Sequence, residues 1–150
     1  VKKKITLNEV FNMNEAGPVN DVQLDLVWWK VIREILDLGQ DKEKAGVDDN
    51  MFNKMNDAWD TIDVKVTEYI RDSGELPDVD YNNWETNLGD YHPHGEEAYV
   101  NITPDEKEAI MTAFKVAPKL KGAFYADDNA IKQAEAAFMK EIGSSSMFGG

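Results

Sequence analysis

Residues 49–73, DNMFNKMNDAWDTIDVKVTEYIRDS, place apolar side chains at Phe52, Met55, Trp59, Ile62, Val66 and Tyr69. Spacings that alternate between three and four residues trace one face of an α-helix, not the strict alternation of a strand. Asp48, Asp49 or Asn50 can cap its start, and Ser73-Gly74 marks its end. Val64 and Val66 lower helix propensity a little, but the period outweighs them. Three heptads are too few to demand a coiled coil, so the seam is expected to pack on a neighbouring helix with Trp59 buried at its centre. Asn53, Asn56, Asp57, Asp60, Asp63 and Thr67 lie off the seam, toward water or a partner.

Working outward, the natural packing partner lies upstream. Asn20 or Asp21 can cap a helix that runs to about Leu38, with Gly39 just past its end. Its apolar residues, from Val22 and Leu24 through Trp28, Trp29, Ile32 and Ile35 to Leu38, wrap beyond one stripe. A helix apolar nearly all round belongs at the centre of a bundle. Before it, Thr6-Leu7-Asn8-Glu9 forms a capping box that predicts a short helix to about Met13, and Gly17-Pro18 breaks the chain.

Downstream, residues 75–102 read as a long irregular segment. Asp78 or Asp80 can start a short helix containing Trp84 and Leu88 and ending at Gly89, and Tyr99-Val100-Asn101-Ile102 suits a short strand. Thr103-Pro104-Asp105-Glu106 is a strong helix start, with Thr at the cap, Pro first in the helix and Glu third. Ala109, Ile110, Ala113, Phe114 and Val116 supply that helix's stripe before Pro118. Asp127 or Asp128 caps the last helix, which offers Ile131, Ala134, Ala137 or Phe138, and Ile142 to the core. The fold class expected is therefore all-α: a compact bundle of four main helices with one or two short ones. Residues 1–143 are expected to form a single helical domain.

The last helix is expected to end at Gly143. Residues 144–150, SSSMFGG, then read as a flexible tail whose Met147 and Phe148 form an apolar docking peptide for a partner or a second copy.

Charge narrows the function more than any motif does. The chain of 150 residues has a net charge of −13. Residues 1–47 are close to neutral, with seven basic and eight acidic groups, and residues 109–150 have five basic and four acidic. Residues 48–108 hold four basic and 17 acidic groups, so nearly all the charge sits in the middle. Such a field disfavours direct binding of nucleic acid or an anionic membrane and favours a protein partner with a basic surface. No apolar run approaches the roughly 20 residues that span a bilayer. With no cysteine, there is no disulfide framework and no thiol nucleophile. The expected location is the cytoplasm, or a particle assembled there.

Particular residues bear on several chemistries. His92-Pro93-His94 followed by Glu96 and Glu97 resembles a metal-ligand spacing, and it makes a metal-dependent enzyme an alternative reading. Pro93 and Gly95 make the same stretch an exposed turn, and no strand pattern holds the two imidazoles in line. Residues 41–52 have the length of an EF-hand loop, with Gly46 at its sixth position. Ala45 and Phe52 stand where oxygen ligands are needed, so no calcium is expected. Phosphate-binding glycine loops and nucleophile elbows are absent, and no cofactor is implied.

The runner-up reading, ahead of the metal-dependent enzyme, is an acidic inhibitor that imitates DNA and occupies a nucleic-acid-binding site. Asp57, Asp60, Asp63, Glu68 and Asp72 spread over about 22 Å of helix. That is well under the phosphate density of a duplex, one per ~1.7 Å. The leading expectation is a non-enzymatic interaction protein, a component of a larger assembly such as a phage virion. Asp57, Asp60, Asp63, Met147 and Phe148 are its candidate partner-binding residues.

Overall fold

The computed structural model describes residues 20–149, with side chains described for residues 20–143. The helix expected at residues 6–13 lies outside the described residues. Six α-helices and one two-stranded antiparallel sheet are described. The chain is helix-dominated but not purely all-α.

The sheet corrects the expected start of the second helix. Asn20–Asp25 is a strand (β1), and the helix begins only at Leu26, forming α1 (Leu26–Leu36). Val22 and Leu24 are buried while Asp21 is exposed, which is the alternation of a half-buried strand. The true cap is Asp25, whose carboxylate accepts the Val27 N–H at 3.1 Å. β1 pairs with β2 (Glu97–Ile102) in a register that sets Asn20 opposite Ile102 and Asp25 opposite Glu97. Ala98, Val100 and Ile102 face inward and Tyr99 outward. Residues 75–102 hold the short helix and the strand expected within them, the strand starting two residues earlier than expected, at Glu97.

The remaining elements follow their local signals. After a short helix α2 (Lys42–Ala45), Asp48 caps α3 (Asp49–Ser73) by accepting the Met51 N–H at 2.8 Å, and Gly74 ends it with φ of 73°. Asp80 caps a single 3₁₀ turn that leads into α4 (Trp84–Leu88), with Gly89 beyond it. The capping box opens α5 (Pro104–Val116) as expected, and Glu106 answers Thr103 in both directions. Asp127 caps α6 (Asp128–Gly149) through the Ala130 N–H. This last helix continues past Gly143, the end expected from sequence.

α1 is the central element, touching β1, α3, α4, α5 and α6. Nine of its 11 residues are buried, which fits a helix apolar on nearly every side. Trp29 is fully buried, and its indole N–H donates to the Ala98 carbonyl at 3.0 Å, tying α1 to β2. α6 lies across β1 and α1, and its Phe138 packs 6.1 Å from Phe114 of α5.

Candidate functional site: an acidic helix face beside an aromatic cleft

The buried row of α3 is Met55, Ala58, Ile62, Val66 and Ile70. Phe52 and Tyr69 are only half-buried, and Trp59 is 39% exposed. The expectation that Trp59 sits at the centre of the core is therefore corrected. A straight helix turns every 3.6 residues, so a strict heptad seam drifts around it, and Ile70 replaces Tyr69 at the far end. Trp59 falls at the margin of the seam, where Arg33 of α1 meets it. The Arg33 guanidinium lies 4.2 Å from the Trp59 ring centroid, and its Nε donates to the Trp59 carbonyl at 2.8 Å. Arg33 is only 5% exposed, and its charge is answered by a short ion pair to Glu85 of α4. A buried guanidinium with a carboxylate, a carbonyl and an aromatic face is satisfied in charge and in hydrogen bonds.

Asp57 and Asp60 lie on the exposed side of α3, and neither carboxylate has a hydrogen bond or ion pair among the described residues. Exposed Val64 shares that side, one turn past Asp60. Asp63 differs. It is half-buried and accepts the Trp84 indole N–H at 3.0 Å, so it helps to hold α4 in place. The structure thus joins Asp57 and Asp60 as one exposed face and gives Asp63 a structural bond. The side chains of Met147 and Phe148 lie outside the described ones.

On the other side of Trp59 opens a cleft of about 670 Å³. Lys30 and Glu34 of α1, with Asp37 just past its end, line one wall; Trp59, Glu85 and Tyr91 line another, and Phe124 and Tyr125 close a third. Residues four apart stand on one face of a helix, so Lys30 and Glu34 form a single row. Glu34 fastens two loops at once: it accepts the Tyr91 hydroxyl at 2.8 Å and the Ala126 N–H at 2.7 Å. Burial, and then the neighbouring Glu34 carboxylate, push the Tyr91 hydroxyl above the usual tyrosine range. Lys30 lies 5.0 Å from the Tyr91 ring centroid and donates to the Gly89 carbonyl at 3.3 Å. The Asp37 side chain has no hydrogen bond or ion pair among the described residues. Tyr125 is 92% exposed.

The histidine segment is held by its backbone. Buried Asp25 accepts the N–H groups of His94 and Gly95 at 2.9 and 2.8 Å, so one carboxylate caps α1 and pins this turn. Both histidines are exposed, and the His94 imidazole stands 3.4 Å from Asp90. Among the described residues, no three His, Cys, Asp or Glu side chains cluster as a metal site. No helix among them is long and apolar enough to cross a membrane.

Sequence reasoning missed the cleft. The i, i+4, i+7 spacing of Lys30, Glu34 and Asp37, at the end of α1 and just past it, is legible in sequence, but the opposing aromatics come from α3 and from loops far along the chain. Comparison with protein-family models, with curated proteins and with solved structures returns no match for this chain.

Proposed function

We propose that this protein is a non-enzymatic interaction module, a component of a larger assembly, that docks a basic protein surface on the outward face of α3. The observation that carries the reading is the pair Asp57 and Asp60, which have no hydrogen bond or ion pair among the described residues and share one side of α3 with exposed Val64. Asp25, Asp63 and Glu106, by contrast, are tied into the fold by hydrogen bonds or an ion pair. Asp57 and Asp60 have no such bond among the described residues, and they sit in the chain segment that holds nearly all the net charge. Unpaired surface charge steers the encounter with an opposite surface, and exposed aromatic and aliphatic side chains supply contact area once the surfaces meet.

The test is kinetic. The partner is captured from the native source and identified by mass spectrometry, then association is measured at low and high salt. With Asp57→Asn and Asp60→Asn together, association should slow by roughly three- to tenfold at low ionic strength, with a smaller change in dissociation. Identical association rates for both proteins at both salt concentrations would reject the acidic face as a docking surface. Displacement of the partner by duplex DNA would instead support the DNA-imitating inhibitor.

A further inference from the structure

We propose that the cleft beside Trp59 receives an arginine side chain from the basic partner segment, with Asp37 as its carboxylate and Trp59 and Tyr125 as its aromatic walls. This rests on the reading of the α3 face as a protein-docking surface, and it names the anchor of that docking. Trp59, one residue before Asp60, lines the cleft, while Asp57 and Asp60 lie on the outward side of the same helix.

The protein already shows how it holds a guanidinium. Arg33 is almost fully buried with its planar head 4.2 Å from the Trp59 ring centroid and Glu85 beside it. The cleft repeats that combination on its open side, where Trp59 and Tyr125 are exposed and the Asp37 carboxylate has no hydrogen bond or ion pair among the described residues. Its one lining cation does not block the entry. Lys30 is drawn to the Gly89 carbonyl and the Tyr91 ring, and it lies seven residues before Asp37, about 10 Å along the helix axis. The other lining charges, Glu34 and Glu85, are carboxylates that attract a cation even while they serve Tyr91 and Arg33.

Arginine fits better than lysine on chemical grounds. A guanidinium is flat, weakly hydrated and able to stack on an aromatic ring while its edge donates to a carboxylate. An ammonium is a compact, strongly hydrated charge that loses more by entering a slot. Phe124, half-buried in the cleft lining, offers an apolar surface to the aliphatic stem of the side chain.

The cleft carries its own reporter. Trp28, Trp29 and Trp84 are 7%, 0% and 2% exposed, so Trp59 is the accessible tryptophan. Its fluorescence is followed while N-acetyl-L-arginine amide is titrated at constant ionic strength, with the lysine and norleucine analogues as controls. The arginine probe should give a saturable change at millimolar concentration and bind at least ~3-fold more tightly than lysine, with no response to norleucine. Asp37→Asn and Tyr125→Ala alter exposed side chains, so both should fold normally, and each should weaken the probe by about three- to tenfold.

Asp57→Asn with Asp60→Asn should leave this titration within about twofold, because screened charges outside the cleft act weakly on a small ligand. Three results would overturn the proposal: no saturable change, an equal response to lysine that ignores Asp37→Asn, or an equal response to norleucine. A cleft that binds the probe while the α3 variant leaves partner association unchanged would reject the docking face alone. The reverse pattern would reject the cleft alone.

Discussion

At the scale of single residues, burial and partnership decide what each side chain is worth. Trp29 is enclosed and hydrogen-bonded, so Trp29→Ala should cost about 3–5 kcal/mol. Trp59 is open on one side and chiefly serves Arg33, so Trp59→Ala should cost only about 1–2 kcal/mol. Urea denaturation of both variants checks the ordering; equal losses would put Trp59 back in the core.

Glu106 gives a pH signature. Burial pushes its carboxyl up, but hydrogen bonds from Lys65, Thr61 and the Thr103 backbone outweigh that and hold it below the usual carboxylate range. A carboxyl lowered in the folded state adds stability above its unfolded pKa, near ~4.3, and that stability is lost as pH falls through the folded value. The stability difference between wild type and Glu106→Gln should therefore be largest at neutral pH and shrink below about pH 4. Urea denaturation at pH 7 and at pH 3 measures it. Tyr91 behaves oppositely: its stabilisation is complete below about pH 10 and fades as pH rises toward its folded value.

At the scale of elements, local chemistry was readable and distant pairing was not. Asp48 with Gly74, the Thr103-Pro104-Glu106 box, Asp80 with Gly89, and Asp127 all act within a few residues of where they stand in sequence. Their signals therefore survive in the string of letters. β1 was hidden because its alternation spans only six residues and runs straight into the apolar helix after it. A strand this short is defined by its partner, and β2 lies far along the chain. The candidate site divides in the same way. The exposure of Asp57 and Asp60 follows from the helix period, whereas the cleft needs loops that only the folded chain brings together.

Asp25 marks the junction that sequence reading passed over. Its carboxylate satisfies Val27, His94 and Gly95, so Asp25→Ala strands three backbone donors. The expected loss is about 2–4 kcal/mol, against about 1 kcal/mol for Asp48→Ala, which removes a cap alone. Thermal or chemical unfolding of the two variants distinguishes a junction from a simple cap.

At the scale of the whole molecule, a net charge of −13 makes the compact state repel itself. Salt should therefore raise the melting temperature of the isolated protein between low ionic strength and about 0.15 M, where the screening length falls to ~8 Å. The same salt should weaken partner association. Opposite responses to one variable separate self-repulsion from recognition, and a melting temperature indifferent to salt would show that the charges are too dispersed to matter.

The pairing of β1 also sets an order of events in time. Gln23 in that strand reaches Glu141, 118 residues away, and Trp29 just beyond it reaches Ala98, 69 residues away. During synthesis the strand is made well before its bonding partners, β2 and Glu141, follow it. α3 can form from neighbours in sequence, but closing such large loops is slow. In refolding, the far-ultraviolet helix signal should lead and the burial of Trp29 should follow, with the unpaired strand exposed to misassociation in the interval.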